Sequence, residues 1–464
     1  MMLFDQRKRL ALPFFIGLIM FAGTAGVVNS PFTYYDTKRW LLLFFISALL
    51  VVDFFSDRKN ERTIQTQLVS FLLVLFVSLL LLRSIISGSL AGLLDAFFWL
   101  TMSLAFPVLS RMLKSRRDSI YLINALVYSL AVYYVFLLMQ YLFVLLNPIR
   151  WDIQVLATGF DNIRFLNQIQ VMIFPLALLL SVSKVLKVSK VGQFVLVLTI
   201  AILFYARARG AILAVCVEVA LIFGFFKYFG LSDIGKYRIS LIKSVFYGGL
   251  LYVVFFVFIP IILFDQDIQA LNLSSSGRLQ MWGQALKLWV QRPFFGYGGM
   301  AFANADLNIY PTFGHPHSSI IQLLFEYGLL GFFLAFFLLL AVIRLVYFDL
   351  VRTKSRSDIL LLCGFLGGLC LSLVSGVVVM PYSQLILMLI LSALLKGGLK
   401  SSGIDLTDGH KREFSFSSGL YWFFVVICLM CLWLLSILTF DYVINEGILI
   451  FDVGPRFWFI GRMP

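Results

Sequence analysis

Runs of about 20 apolar residues recur along this chain, and no other property restricts its fold so strongly. Inside hydrocarbon a backbone has no water to bond, so each run must satisfy its own amides and carbonyls as a helix. Spans are predicted at 10–28, 40–55, 68–86, 93–113, 120–146, 169–186, 193–208, 210–229, 241–264, 318–346, 358–379, 384–399 and 417–438. The composition agrees, with 61% hydrophobic and 13% charged residues among 464 and a mean hydropathy of +0.97. The in–out alternation of a membrane barrel is absent. The expected fold is therefore an all-α polytopic transmembrane bundle of about 12–13 spans, a single integral membrane domain over 1–464. The run 10–28 has no small-residue cleavage site and reads as a retained first helix. No internal repeat or soluble domain is visible.

A net charge of +14 points at first to nucleic acid. The placement of the charges argues otherwise. With the N-terminus in the cytoplasm, 25 of the 37 Lys and Arg residues fall in loops on that side, the asymmetry expected of membrane topology. No nucleic-acid partner is needed. The same orientation puts 147–168, 265–317 and the tail after 438 on the outer side. The five cysteines all lie in apolar runs and read as packing residues, the Cys428-x-x-Cys431 pair included.

The outer arginines then need their own account, because arginine near a membrane is costly and usually faces a cavity or partner. For Arg150, Arg292, Arg456 and Arg462 snorkelling to lipid headgroups is the favoured reading. Arg164 lies in the polar segment FDNIRFLNQIQ just before the span at 169. Arg207 and Arg209, in FYARARGAILA, would point about 200° apart on one regular helix. They serve one pocket only if the helix ends there, which Gly210 allows; otherwise Arg209 is the favoured one.

The long loop 265–317 leads directly into the span at 318. Residues 278–292 put Leu279, Trp282, Leu286 and Trp289 at helical spacing, with Ser274, Ser275 and Ser276 as candidate caps and Pro293 as a stop. Such a helix would lie in the headgroup zone or pack as a lid, with Arg278 near the membrane surface in both cases. The turn PFFGYGG brings Gly296, Gly298 and Gly299, whose amides can approach an oxyanion but equally make ordinary turns. His317 precedes Ser318 and Ser319, candidate caps of the next helix. The positive end of that helix would keep an imidazole neutral and able to accept a proton from an attacking hydroxyl. Glu326 lies nine residues on, roughly 180° around a helix, so a direct dyad with His317 is disfavoured and packing or hydrogen bonding is as good a reading. His315-x-His317 without Cys or acidic neighbours is a poor metal site.

These residues resemble a known family. His317-Ser318, nine residues, then Gly328-Leu329-Leu330-Gly331 resembles the H-[NSQ]-x9-G-x-x-G pattern of the O-antigen ligase and bacterial O-oligosaccharyltransferase superfamily. Arg209 and Leu213 resemble its R-x3-L element, and SGRLQMWGQALKLWVQRPFFGYGG its long periplasmic loop, so the similarity runs over roughly 160–345. The resemblance implies a GT-C-like inner-membrane enzyme that needs no metal or other cofactor. Its donor would be a preassembled glycan on undecaprenyl diphosphate, transferred with inversion to a periplasmic acceptor hydroxyl. It implies that Arg209 and Arg278 bind the diphosphate, with Arg164 and Arg207 as further candidates, and that His317 is the base. His315, Ser318 and Glu326 are auxiliary candidates, and His315 could share or replace the role of His317. A protein acceptor such as a pilin Ser or Thr ranks above the lipid A–core sugar of lipopolysaccharide, and O-antigen polymerisation ranks third. A polyprenyl-glycan transporter is the alternative of a different class; it too needs buried arginines but no histidine at a helix start.

Overall fold

The computed structural model describes residues 33–54, 64–113, 115–146, 159–264, 277–305, 314–395, 418–447 and 456–458. The described helices are α1 (Tyr34–Phe54), α2 (Ile64–Ser87), α3 (Leu90–Met112), α4 (Arg116–Leu146), α5 (Ile163–Ser181), α6 (Leu186–Tyr205), α7 (Arg209–Tyr228) and α8 (Ile234–Val253). A π-turn, Val254–Phe258, joins α8 to α9 (Ile259–Phe264); then come α10 (Arg278–Trp289), α11 (Ala301–Asn304), α12 (Ser319–Thr353), α13 (Arg356–Ser372), α14 (Pro381–Leu394) and α15 (Ser418–Gly447). Among the described residues there is no strand, and 8 helices are long and apolar enough to cross a membrane. The protein is a polytopic helical membrane protein. The expected span 10–28 lies outside the described residues.

Several boundaries move for local reasons. The span expected at 169 begins at Ile163, because the Asn162 side chain accepts the Arg164 amide at 2.9 Å and starts the helix there. Arg164 thus sits in the first turn of α5 rather than ahead of it. The span expected at 384–399 is the 14-residue α14, which opens on Pro381, where a missing N–H costs nothing.

The chain divides into two compact units. The first takes Met1–Leu41, Ser115–Ser274 and Thr353–Leu391; the second takes Leu42–Lys114, Ser275–Arg352 and Ser392–Pro464. In the first, α5 is the most enclosed span and packs on α6 and α13. Its polar residues are spent on interhelical ties, which suit an interior without water. Asn167 donates to Gln170 at 2.8 Å, and Gln170 to the Tyr134 hydroxyl at 2.8 Å, itself bonded to Thr199 at 2.7 Å. Gln168 donates to Ser375 at 3.0 Å and accepts from Ser383 at 2.7 Å. The amides of FDNIRFLNQIQ are thus structural.

In the second unit α3 packs on α2 and α15. Met281 and Ala285 of α10 form a small core with Phe302 and Phe325, to which Trp282 and Leu288 add. The buried face of α10 therefore differs from the one expected from spacing: Leu279 is 66% exposed, and the smaller Met281 and Ala285 take the inner position. Its N-cap is Gly277 at φ +73°, a left-handed residue, while Ser274, Ser275 and Ser276 lie outside the described residues.

Candidate functional site

The first unit carries three of the expected cationic groups. Helices α6 and α7 are separated by only residues 206–208, so the helix breaks ahead of Arg209 and not at Gly210, which is helical and packs near Val374 and Leu371. Arg207 lies in that turn at φ +48°, and Arg209 is the first residue of α7; both are exposed. Arg164, also exposed, is within electrostatic range of Arg209. The two make a like-charged pair at helix N-termini, and the partial positive charge of those ends adds to it. Such a cluster is poised for an anion.

The second unit holds the histidines with Arg278. His315 and Pro316 are buried, His317 is half-buried, and α12 begins only at Ser319, with buried Ser318 immediately ahead of it. The Ser318 carbonyl accepts from the Gln322 amide at 3.0 Å. At φ +52° the backbone of His317 is left-handed, a state His tolerates better than most residues. This turns its amide onto Nδ1 of His315 at 3.1 Å and brings the two rings to 4.1 Å in edge contact. Because His315 Nδ1 accepts, its own proton sits on Nε2. Burial, and then the charges of His317, Arg456 and Arg278, hold the His315 imidazole well below its usual range. His315 is thus a neutral support, and His317 is the more accessible imidazole.

Trp282 of α10 fixes this loop by donating from Nε1 to the Pro316 carbonyl at 2.7 Å. Trp282→Phe keeps the ring but strands that carbonyl. It is expected to cost about 1 kcal/mol, read as a lowered Tm of the detergent-solubilised protein.

The glycines serve the helix rather than an oxyanion. Gly328 interrupts α12 at φ 64°, ψ −165°, which leaves carbonyls bare above it and amides bare below it, as at any pair of helix ends. The PFFGYGG turn closes both gaps. The amides of Tyr297 and Gly298 donate to Phe325 and Glu326 at 2.9 and 2.8 Å; Leu329 and Leu330 donate to Pro293 and Phe294 at 2.8 and 3.1 Å. A Cβ on Gly328 would lie 2.4 Å from the Phe294 carbonyl carbon and oxygen, and one on Gly296 would lie 2.6 Å from the Glu326 carbonyl. Arg83 of α2 secures the turn from the other side, donating to Gly296 O at 2.8 Å.

Glu326 is buried, and its partner is Arg456, 2.6 Å away. The two auxiliary readings offered for it thus resolve to the ion pair. Arg456 corrects the sequence reading outright: it does not snorkel but is 3% exposed inside the second unit. With the Gln322 amide turned so that its oxygen faces the guanidinium, Gln322 accepts from both Nη atoms at 2.6 and 2.8 Å. Beside this pair, the Tyr327 hydroxyl donates to Asp95 at 3.0 Å. Arg456, Arg83 and the Trp282–Pro316 bond were all missed by sequence reasoning. Only Trp282 left a signal, its spacing of four from Arg278.

These features define a multi-pass helical membrane protein in which a His-Pro-His-Ser turn opens a glycine-kinked span. Residues 194–336 match the family model described as O-antigen ligase, and the chain carries an O-antigen ligase domain over that stretch. The domain includes Arg207, Arg209, Arg278, both histidines, Glu326 and the G-x-x-G glycines; Arg164 and Arg456 lie outside it. No curated protein matches the chain in sequence.

Proposed function

We propose that this protein is an inner-membrane glycosyltransferase that moves a preassembled glycan from undecaprenyl diphosphate to an acceptor hydroxyl on the periplasmic side. Its long loop 265–317 would form part of the active site. One observation carries the reading: within a match to the O-antigen ligase model, Arg278 and the half-exposed His317 converge on the start of the motif helix beside a buried, neutral His315. In the reaction, the acceptor oxygen attacks the anomeric carbon from the face opposite the diphosphate and gives its proton to His317. The bond from the anomeric carbon to the phosphate oxygen breaks, and the electron pair leaves with the lipid diphosphate. Arg209 and Arg278 would hold that developing charge, with Arg164 and Arg207 as further donor contacts. Guanidinium forks do this by paired hydrogen bonds without a metal.

The acceptor we favour is a protein hydroxyl, a pilin Ser or Thr, ahead of the lipid A–core sugar. In a strain lacking this protein, mass spectrometry should show the pilin without its glycan while lipopolysaccharide runs unchanged on gels. The reverse result would assign the lipid A–core as acceptor. Arg278→Lys keeps the charge and loses the fork; donor turnover should fall about 10-fold or more, equivalent to one charge-assisted hydrogen bond. Unchanged kinetics would return Arg278 to a headgroup-snorkelling role.

A further inference from the structure

Residues 456–458 are anchored far more firmly than a three-residue excursion needs. Trp458 is fully buried, donates to Thr439 at 3.1 Å and packs against Phe440 at 4.7 Å, both on α15. Phe457 meets Phe98 of α3 edge-on at 5.6 Å. Between them these rings deliver the Arg456 guanidinium to Gln322 and Glu326, one turn apart on a single face of α12, the first of them four residues past Ser318. A buried guanidinium is costly unless paired, so its presence under the histidine turn calls for a reason.

We propose that Arg456 is a positioning residue of the His315–His317 pair: held from below by Glu326 and Gln322, it sets the electrostatic balance at the two imidazoles, and Glu326 tunes that charge instead of pairing with His317. The charged groups facing the pair come from each neighbouring element. Arg278 comes from α10 and Arg456 from 456–458, while Glu326 of α12 and Asp95 of α3 act on Arg456. On the far side of the turn, Arg83 of α2 stands near Arg292. Cations near an imidazole disfavour its protonated form. Arg456 thereby keeps the pair neutral, the state in which His317 can accept a proton, and Glu326 moderates the field. The functional meaning rests on His317 being the base; the charge balance itself does not.

The test reads protonation and not glycan transfer. Diethyl pyrocarbonate acylates neutral imidazole, so its rate at His317 against pH, followed by peptide mass spectrometry on the full-length protein in nanodiscs, gives that residue's titration midpoint. His410, the third histidine, is an internal reference. Arg456→Gln removes a cation and should raise the midpoint by on the order of half a pH unit. Glu326→Gln leaves Arg456 uncompensated and should lower it by a similar amount. The double variant E326Q/R456Q loses one charge of each sign and should return it to the wild-type value, and R456K should hold it there. A purely structural pair would shift both single variants in one direction or neither, and either result overturns the proposal. Should R456Q fail to fold, the opposed behaviour of E326Q and E326Q/R456Q makes the same distinction. If His317→Ala still transfers glycan, the catalytic reading falls while the titration shifts stand, so the two failures are distinguishable.

Discussion

Gly328→Ala is expected to abolish transfer and to destabilise the second unit by at least about 3 kcal/mol, because two independent costs fall on one atom. The conformation at φ 64°, ψ −165° belongs almost only to glycine, and a side chain there costs about 1–3 kcal/mol. The new methyl would also sit 2.4 Å from the Phe294 carbonyl, a backbone group that cannot swing aside as a side-chain tip can. Moving it parts Leu329 from Pro293 and Leu330 from Phe294, and each buried group left unbonded adds about 1–3 kcal/mol. Gly88→Ala is the matched control. Gly88 also has positive φ, at +66°, but open space around its Cβ position, so only the conformational cost of about 1 kcal/mol applies. Thermal unfolding of the two variants in the same detergent separates strain from clash. Equal Tm values would mean that the clasp between turn and kink contributes nothing.

His317→Ala should lower transfer about 100- to 10,000-fold with donor binding retained, the range expected when a positioned general base is removed. The assay is transfer from a defined polyprenyl-diphosphate glycan by reconstituted protein, beside donor binding measured separately. Added imidazole should restore part of the rate, because the space vacated by a half-exposed ring is open to small molecules. The wild-type reaction should weaken below about pH 6.5 as the imidazole takes a proton from solvent. Transfer persisting at the wild-type rate in the alanine variant would sink the assignment and favour a polyprenyl-glycan transporter.

Much of the architecture was legible because a membrane leaves the chain few options. Apolar runs of the right length become helices, and α3, α4 and α7 fall close to the segments expected from hydropathy. The tight turn that brings Arg209 to the start of α7 was readable from two apolar runs flanking ARARG. What stayed hidden depends on partners distant in sequence. Glu326 offers an acidic residue near a histidine, and helical geometry turns it away, but nothing in the local sequence points to Arg456, 130 residues on. The PFFGYGG glycines suggested anion-binding amides. Those amides meet a helix kink instead, because periodicity shows that α12 is apolar and not that its hydrogen-bond ladder breaks at Gly328. The inner face of α10 was misread for a related reason: spacing ranks Leu279 with the tryptophans, but close approach to Phe302 and Phe325 admits Met281 and Ala285.

The clasp at Gly328 also limits how the loop behaves. A lid is cheap to open only when what it covers is content in solvent or has other partners. Lifting the 293–298 turn would bare two carbonyls above the break and two amides below it, in the middle of a span with no water to receive them. That segment is therefore a fixed wall, welded to the helix that carries the histidines at its start. Any traffic of bulky glycans past His317 must be accommodated by other parts of the surface, and the spacing between the turn and the imidazoles acts as a ruler of constant length.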